Sequence, residues 1–595
     1  MTPSMATPIV ELTCRADGSM LFRSCEPLGT YPASPIDWLL RWGSDAPDRV
    51  FIADRPGGSA DEPWRTVTYA EAVERVGALA DGLVSLGLGG PRPLLALSGN
   101  SIEHALLMLA AYVAGVPFAP VSTAYSLLST DHRRLGELSD LVDPVAVFVD
   151  DIKPFGPALE CFGTDVAVIA CHGSRPHVSY DSLASGGTTP SAFQRTIGAD
   201  DVAKLLFTSG STGTPKAVIQ THGMMTANQQ SLAQCWTFVE HTPPVLVDWL
   251  PWSHVFGANN NFNLVLRNGG TYYIDAGKPA PGLVATTIAN LREVAPTILF
   301  NVPAGYAALL TQLETDDAFA AHVYSRLQMI FYAGAALPQD LWDRLKHLTA
   351  RHADHQIPLV SSWGSTETAP ACTAVHTLDT QRAAIGTPVP GVTVKLVPSG
   401  DKYEMRVRGP NITPGYVGRP DLTAAAFDDE GFYRMGDAGR LADPDRPERG
   451  LLFDGRISED FKLTTGTWVS VGRVRVELIA ALAPFVSDAV IAGHDRPSIR
   501  ALVWPTPAAQ QAITERGWEP VAAEITAQLD VHQRTSGGSA SRVERVVLLE
   551  DRPSIDAGEI TDKAYINQRV ALANRLTIVE ALYAATTPTV IRATS

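Results

Sequence analysis

Short apolar runs rich in β-branched and aromatic residues alternate with segments of helical spacing through the middle of the chain. The runs predict strands at 202–207, 244–250, 271–274, 297–301, 327–332 and 358–362. Between them, residues 281–294 and 339–350 carry apolar side chains at helical spacing. Strands that alternate with helices in this way predict an α/β fold, in which a sheet is layered with helices.

The pattern changes after about residue 392, where apolar and polar side chains alternate with period two at 392–397 and 403–408. Such alternation is typical of half-buried antiparallel strands and predicts a small β-rich subdomain. After a charged, proline-rich loop at 443–450, residues 451–457 begin a new region. We place the domain boundary near residue 457, and predict a large N-terminal domain over 1–457 and a small, mobile α+β C-terminal domain over 458–595. The elements predicted in the C-terminal domain are strands at 488–492, 500–504 and 542–549, helices at 518–529 and 567–584, and a flexible loop at 535–541.

Composition and charge exclude several classes of protein. Hydrophobic residues make up 45% of the 595 residues and charged residues 18%, so the chain can bury enough apolar surface to fold. The net charge of −16 and the isoelectric point near 5.3 argue against a nucleic-acid or anionic-membrane partner. The longest apolar stretch, 105–120, is too short to span a bilayer and predicts a buried helix followed by a strand.

The cysteines and the first residues are typical of a cytoplasmic protein. The six cysteines are scattered, without a CxxC pair or a histidine at metal-binding spacing, so we expect reduced thiols. No apolar run precedes Arg15, the first basic residue, so a secretory signal is not expected. The sequence leaves the oligomeric state open between a monomer and a homodimer.

A run of hydroxyl residues, glycines and a lysine directly follows the first of the predicted strands. Glycines let a backbone approach a polyphosphate closely, while N–H groups, hydroxyls and an ammonium group can donate to its oxygens. The spacing excludes a P-loop NTPase, because that loop needs GxxxxGK followed by Ser or Thr, and Pro215 also resists the helix that should begin there. The alternative is a solvated turn. The residues expected to bind phosphate are Thr208, Ser209, Gly210, Ser211, Thr212, Gly213 and Lys216.

Together with four later blocks, this loop resembles the adenylate-forming superfamily of acyl-CoA synthetases, luciferases and peptide-synthetase adenylation domains. The blocks occur in that family's order and cover most of the chain. The resemblance assigns an adenine-contacting segment to 333–338, an aromatic-Gly-x-Thr-Glu block to 363–367, a ribose-binding block to 433–437 and the start of a hinge to 454–456.

Each block also has a chemical interpretation. Glu367 can hold a Mg²⁺ ion that bridges ATP phosphates, and Thr366 can donate to the α-phosphate. Asp437 can accept both ribose hydroxyls, and Arg456 completes the nucleotide site. The alternatives are a helix cap at 365–367, a turn aspartate and a surface arginine. The resemblance adds five further ATP- or AMP-binding residues: Gly334, Ala335, Ala336, Trp363 and Gly364.

The resemblance implies a reaction in two steps. A substrate carboxylate attacks the α-phosphate of ATP, giving an acyl-adenylate and pyrophosphate, and the thiol of coenzyme A then displaces AMP. Both reactants carry their own nucleophile, so the protein positions them and neutralises charge on phosphate oxygens. ATP, Mg²⁺ and coenzyme A are therefore the expected cofactors.

The family's C-terminal domain supplies a lysine for adenylation, usually after a glycine, and here Glu559 occupies that place. Relatives with a longer spacing make Lys563 the candidate, against a solvated surface lysine. Ser458 is the expected hinge residue. Gly466 and Trp468 fall where the family binds coenzyme A, the alternatives being a structural glycine turn and a core tryptophan.

Residues 248–257 correspond to the family's acyl pocket, with His254, Phe256, Gly257 and Trp363 as candidate lining residues and His254 also as a catalytic gate. Aromatic walls suit a planar acid. The segments 248–257, 261–270, 331–338, 459–470 and 557–563 resemble bacterial feruloyl-CoA synthetases, which implies ferulate, p-coumarate or caffeate as substrate. The alternatives are another aromatic or fatty acid, a carrier-protein thiol as acceptor, or an inactive nucleotide-binding relative.

Overall fold

The computed structural model describes residues 2–174, 177–185, 192–209, 215–280, 282–457, 459–554, 556–560, 566–584 and 590–592. The first fourteen strands are β1 Val10–Cys14, β2 Met20–Ser24, β3 Val50–Asp54, β4 Arg65–Thr68, β5 Leu94–Ala96, β6 Phe118–Pro120, β7 Ala146–Asp151, β8 Ala167–His172, β9 Val178–Ser179, β10 Val202–Ser209, β11 Pro215–Thr221, β12 Val245–Asp248, β13 Thr271–Ile274 and β14 Ile298–Asn301. They are followed by β15 Met329–Tyr332, β16 Leu359–Gly364, β17 Ala371–Ala374, β18 Ala384–Pro388, β19 Thr393–Ser399, β20 Lys402–Arg408, β21 Tyr433–Leu441, β22 Leu451–Arg456, β23 Phe461–Lys462, β24 Trp468–Val469, β25 Val486–Ala492, β26 Ile499–Pro505, β27 Val543–Leu548 and β28 Val590–Arg592.

Helices lie between these strands. They are α1 Pro35–Asp45, α2 Tyr69–Ser85, α3 Ile102–Ala114, α4 Ala124–Leu127, α5 Arg133–Val142, α6 Ile152–Leu159, α7 Tyr180–Ala184, α8 His222–Cys235, α9 Phe262–Arg267, α10 Val284–Glu293, α11 Pro303–Thr315, α12 Asp317–Tyr324, α13 Gln339–His352, α14 Pro420–Ala426, α15 Val471–Ala481, α16 Pro507–Arg516, α17 Trp518–Thr535, α18 Gln568–Asn574 and α19 Leu576–Ala584. A π-helix, Phe256–Asn261, precedes α9, and short 3₁₀ turns lie at Pro56–Gly58, Thr237–Glu240, Thr366–Thr368 and Pro447–Arg449.

The predicted α/β class is confirmed. A seven-stranded sheet has the order β11-β10-β6-β5-β7-β8-β9 and is parallel except for the β10–β11 hairpin. A four-stranded sheet has the order β12-β13-β3-β4. An eleven-stranded sheet has the order β1-β2-β19-β20-β21-β22-β18-β17-β16-β15-β14, and its β14-β15-β16 end is parallel.

The long apolar stretch forms α3 and then β6, as predicted. Ser101 accepts a hydrogen bond from the backbone N–H of His104 and caps the start of α3, and Gly115 ends the helix in the left-handed conformation. Apart from Glu103, the residues of α3 are buried, because α2 packs along this helix and α1, β3 and β6 also contact it. Within the part of the chain that the structure describes, no helix is long and apolar enough to cross a membrane.

The segment 451–457 does not begin a new region. Its residues Leu451–Arg456 form β22, which pairs with both β18 and β21 inside the eleven-stranded sheet. From Phe461 onward, residues form apolar cores of their own around β25, β26 and β27. The predicted strands at 392–397 and 403–408 are β19 and β20, which pair antiparallel.

Candidate functional site

Three adjacent parallel strands, β14, β15 and β16, end at the same edge of the large sheet. Their register pairs Asn301 with Tyr332, and Tyr332 with Ser361. The predicted adenine-contacting segment follows β15, and the aromatic-Gly-x-Thr-Glu block forms the end of β16 and the turn after it. The carboxyl ends of parallel strands are where open α/β sheets bind ligands.

Glu367 lies in the 3₁₀ turn Thr366–Thr368, and hydroxyl groups orient both of its carboxylate oxygens. Ser365 Oγ donates to Oε2 across 2.8 Å, and Tyr416 OH donates to Oε1 across 3.1 Å. A 3.0 Å hydrogen bond joins the hydroxyls of Tyr416 and Tyr433. Ser365 caps the turn, so the predicted helix cap does exist, but the capping side chain is the serine while Glu367 stays half-buried.

Lys216 lies on β11 beside this cluster. Its Nζ is 4.8 Å from the centroid of the Tyr416 ring, a cation–π contact that brings the predicted phosphate lysine close to Glu367. Thr208 pairs with Lys216 across the β10–β11 hairpin, so residues 210–214 connect two antiparallel strands. Pro215 begins β11, an edge strand, where a missing backbone N–H breaks no ladder. The predicted residues Gly210, Ser211, Thr212 and Gly213 lie outside the described residues.

Asp437 is held by two of the predicted site residues. Trp363 Nε1–H donates to its Oδ2 across 2.9 Å, and Arg456 Nε lies 3.2 Å from its Oδ1. The register of β21 and β22 pairs Asp437 directly with Arg456, so Asp437 is a strand residue and not a turn aspartate. Burial raises the pKa of Asp437, while the Arg456 cation and the Trp363 hydrogen bond act in the opposite direction. Arg456 itself is exposed, with 60% of its side-chain area accessible.

The predicted adenine segment is open to solvent. Gly334, Ala335 and Ala336 are exposed, and Leu337 is buried and anchors the segment. Gly334 has φ +87°, a conformation that favours glycine. At Gly364 a side chain is excluded for another reason, because an added Cβ would lie 1.7 Å from the carbonyl oxygen of Pro370.

The proposed acid-pocket residues lie around the start of the π-helix. Phe256 is buried and packs against Phe300 and Phe331, with ring centroids 6.0 and 5.6 Å away. His254 is only partly buried, and its Nδ1 accepts the backbone N–H of Phe256 across 3.3 Å, which leaves the proton of the neutral ring on Nε2. A Cβ on Gly257 would lie 2.5 Å from the carbonyl oxygen of Leu250, so this close approach needs glycine.

In the C-terminal region, Glu559 is a buried structural carboxylate. Arg575 donates to both of its oxygens, from Nε across 2.9 Å and from Nη2 across 2.8 Å, and the backbone N–H of Ser554 donates to Oε2 across 3.0 Å. The ion pair with Arg575 gives Glu559 a structural role. The candidates Lys563 and Ser458 both lie outside the described residues.

Gly466 and Trp468 belong to the β23–β24 hairpin. Gly466 has φ +83° and donates its N–H to the Leu463 carbonyl, so the structural turn exists. Trp468 is 48% exposed beneath the Lys462 ammonium group, so it is not a core tryptophan.

Several polar residues of this region were missed by the sequence reasoning. Tyr416 has no motif of its own. Lys204, Gln220 and Asn259 are completely buried, and the signals for them were a lysine within an apolar strand and the Asn259-Asn260-Asn261 triplet.

Comparison with known proteins places the fold and the family. A family model described as AMP-binding enzyme matches residues 39–417. A feruloyl-CoA synthase from an Amycolatopsis species is 29% identical over 416 residues, which cover 68% of this chain and 75% of that protein. A probable non-canonical nonribosomal peptide synthetase, CymA of Salinispora arenicola, is 28% identical over 471 residues, covering 76% of this chain but 5% of that much longer protein.

Among solved structures, ATP-bound MatB from Rhodopseudomonas palustris superposes with a TM-score of 0.71 at 24% identity, covering 92% of this chain and 99% of that chain. This likeness extends the match in fold beyond residue 417 into the C-terminal region. Because the family model spans more than half of the chain, the protein belongs to the AMP-binding enzyme family, whose members form acyl-adenylates.

Proposed function

We propose that this protein is an AMP-forming acid:CoA ligase that converts a hydroxycinnamate (ferulate, p-coumarate or caffeate) to its CoA thioester through an acyl-adenylate. The observation that supports it most is a set of contacts around the end of β16. Glu367 has two hydroxyl donors there, Asp437 contacts Trp363 and Arg456, and Lys216 lies over the Tyr416 ring. Anion-binding and metal-binding groups of this kind, side by side at strand ends, suit a nucleotide.

The residues present fit a bound Mg·ATP. Asp437 offers a buried carboxylate to ribose hydroxyls, and the exposed residues 334–336 leave room for a base. Over the described residues there is no cluster of three metal-ligating side chains, so Mg²⁺ would be held by Glu367 and phosphate oxygens. Mg²⁺ in nucleotide sites commonly has one or two protein carboxylates, and when bound it neutralises phosphate charge.

The chemistry assigned to the protein is positioning and charge compensation. Lys216, beside the Tyr416 ring, would donate to phosphate oxygens, and Thr366 would donate to the α-phosphate that the acid attacks. His254, with its proton on Nε2, would lie where the acid carboxylate enters. The nucleophiles are the acid carboxylate and the CoA thiol, so the protein would need no covalent intermediate.

The C-terminal domain, which we take to be 458–595, would serve the two half-reactions in turn. Lys563 would contact the carboxylate and the α-phosphate during adenylation, and rotation at Ser458 would then bring Gly466 and Trp468 to coenzyme A. The exposed Trp468 ring supports this proposal, since a pantetheine arm needs an accessible apolar surface.

The choice of a hydroxycinnamate rests on two supports. The first is the aromatic cluster of Phe256, Phe300 and Phe331, which suits a planar ring. The second is the resemblance of the 248–257 block to feruloyl-CoA synthetases.

Acid-dependent exchange of labelled pyrophosphate into ATP, with and without coenzyme A, tests the proposal. We expect ferulate, p-coumarate and caffeate to give the highest kcat/KM, and benzoate and fatty acids to give values at least tenfold lower. Glu367→Gln serves as the inactive control. Higher activity with a fatty acid would contradict the proposed substrate but not the ligase activity. A protein that shows no exchange with any of the acids would contradict both.

A further inference from the structure

Two buried amide side chains link the predicted phosphate strand, the wall of the proposed acid pocket and the Thr366–Thr368 turn. Gln220 Nε2 donates to the carbonyl oxygen of Thr366 across 2.9 Å. Gln220 Oε1 accepts from Asn259 Nδ2 across 2.9 Å, and Asn259 Oδ1 accepts from Lys204 Nζ across 3.1 Å. The four residues therefore form one continuous hydrogen-bond chain.

Each member of the chain belongs to a different part of the site. Gln220 lies on β11, four residues after Lys216, and Asn259 lies in the π-helix together with Phe256 and Gly257. Lys204 stands directly opposite Gln220 in the β10–β11 register. All three side chains are fully buried, so their hydrogen bonds are shielded from competing water.

The lysine determines the direction of the whole chain. A protonated Lys204 can only donate, so the atom of Asn259 that faces this ammonium group must be its carbonyl oxygen, as the structure has it. Asn259 must then present its NH₂ to Gln220, and Gln220 must present its own NH₂ to Thr366. Without Lys204, the two amides could rotate together by half a turn, and Gln220 would then place its oxygen against the Thr366 carbonyl.

The backbone carbonyls of Thr366, Glu367 and Thr368 each accept a hydrogen bond from a neighbouring segment. The backbone N–H of Thr413 donates to the Glu367 carbonyl across 2.8 Å, and Asn411 Nδ2 donates to the Thr368 carbonyl across 2.7 Å. Gln220 supplies the donor that ties this turn to the phosphate strand. Loss of that donor would leave the carbonyl of Thr366 buried and unpaired, and would loosen the turn that carries Glu367.

We propose that Lys204, Asn259 and Gln220 are positioning residues for the adenylation step, which hold the Thr366–Glu367 turn at a fixed place relative to Lys216 and to the acid-pocket wall. The inference rests on the proposed ligase function, because it assigns the chain to one half-reaction of that function. Simple core packing does not account for the chain, because apolar side chains of similar volume would fill the same space without the cost of burying an amine and two amides.

The test uses the full-length protein with substitutions that break the chain at two links, Gln220→Met and Asn259→Leu, and the double variant. The matched control is Asn290→Leu, another buried amide whose partners, Arg55 and Asp275, lie outside this chain. The readouts are kcat of acid-dependent pyrophosphate exchange, KM for ATP, thioester formation from supplied acyl-AMP, and the thermal midpoint.

We expect each single variant to lower kcat of exchange at least tenfold, with KM for ATP and the thioester step changed less than threefold. Because both residues act through one chain, the double variant should be no more than twofold slower than the slower single variant. Asn290→Leu should lower the thermal midpoint by a similar amount without this loss of kcat.

Two outcomes would overturn the inference: a kcat of exchange equal to that of the wild type, or losses that multiply in the double variant. If either single variant does not fold, Gln220→Glu replaces it and is assayed over a range of pH, because an ionised glutamate still accepts from Asn259 but cannot donate to Thr366. Wild-type protein without exchange for any acid would contradict the proposed function as well, whereas active wild type with unaffected variants contradicts the positioning role alone.

Discussion

Trp363 and Asp437, 74 residues apart in the chain, are joined by a 2.9 Å hydrogen bond from the indole N–H to the carboxylate. This hydrogen bond and the Arg456 side chain together fix the orientation of the Asp437 carboxylate, which is proposed to bind ribose. Asp437→Asn would turn an NH₂ group toward one of these two donors and would remove the charge. We expect KM for ATP to rise at least tenfold, since hydrogen bonds to charged groups contribute about 1.5–3 kcal/mol.

Steady-state pyrophosphate exchange at varied ATP measures this change. Trp363→Phe is the matched control, because it removes one donor and keeps the carboxylate, and its KM for ATP should rise less than that of Asp437→Asn. An Asp437→Asn enzyme with wild-type KM would remove Asp437 from the nucleotide site.

Tyr416→Phe tests the hydroxyl that donates to Glu367. The substitution keeps the ring beneath Lys216 and deletes the 3.1 Å hydrogen bond to Oε1. Groups that orient metal ligands commonly change metal affinity by about 10–100-fold. We expect the Mg²⁺ concentration for half-maximal exchange to rise about tenfold, with a smaller rise for Tyr433→Phe. An unchanged Mg²⁺ titration would show that Tyr416 does not orient a metal ligand.

The buried amine of Lys204 should make stability depend on pH above neutrality. Burial lowers the pKa of Lys204 to about 7, whereas an unfolded chain keeps the ordinary value near 10.5. Between these values the unfolded state binds more protons, so the free energy of unfolding rises with pH. From pH 7 to 9 the gain from this one group is about 2 kcal/mol.

Lys204→Met lacks the titrating group and is the comparison. Denaturant unfolding of both proteins at pH 7, 8 and 9 should show the wild type gaining stability relative to the variant as pH increases. A difference that stays constant over this range would mean that Lys204 keeps its ordinary pKa.

Lys563→Ala should separate the two half-reactions. Loss of one charge-stabilising donor in the adenylation step corresponds to about 2–4 kcal/mol in the barrier, or roughly 30- to 800-fold in kcat of pyrophosphate exchange. Thioester formation from supplied acyl-AMP should continue. Lys346→Ala, which removes an exposed lysine on α13, is the control. Unchanged exchange in Lys563→Ala would rule out its role.

Glu559→Ala should destabilise the C-terminal region, because it leaves the buried Arg575 cation without its main partner. Breaking a buried ion pair typically costs about 3–5 kcal/mol, and the remaining contact of Arg575 with the exposed Asp551 places the expected loss at the lower end. Hydrogen exchange of α18 and α19 measures it, with Glu559→Gln as the milder control. Protection equal to that of the wild type would contradict a structural role for the pair.

The sequence predicted several strands and helices between residues 202 and 362 well, because burial on a sheet produces local patterns. β13 was predicted with the observed bounds, and β10, β14 and β16 to within two residues. The prediction that a new region begins at residue 451 was wrong. Residues 451–456 follow a proline-rich loop, yet long-range pairing with β18 and β21 keeps them in the large sheet.

Contacts within the candidate site could not be predicted from local pattern. Tyr416 donates to Glu367, which lies 49 residues away in the chain, and no local sequence pattern predicts this contact. Lys204 was missed by the sequence reasoning, and its partner Asn259 lies in a separate helix 55 residues later in the chain. Asp437 was predicted as a site residue from the resemblance to a family. Its hydrogen bond with Trp363 forms only when the sheet folds, so the local sequence could not predict it.

The pairing of Glu559 with Arg575 constrains which substitutions this chain can accept. A lysine at position 559 would place two cations side by side among buried groups, so this substitution alone is expected to destabilise the protein. Position 575 would have to change first, or at the same time. The two residues are therefore expected to covary among the descendants of this chain, even though neither is proposed to touch a substrate.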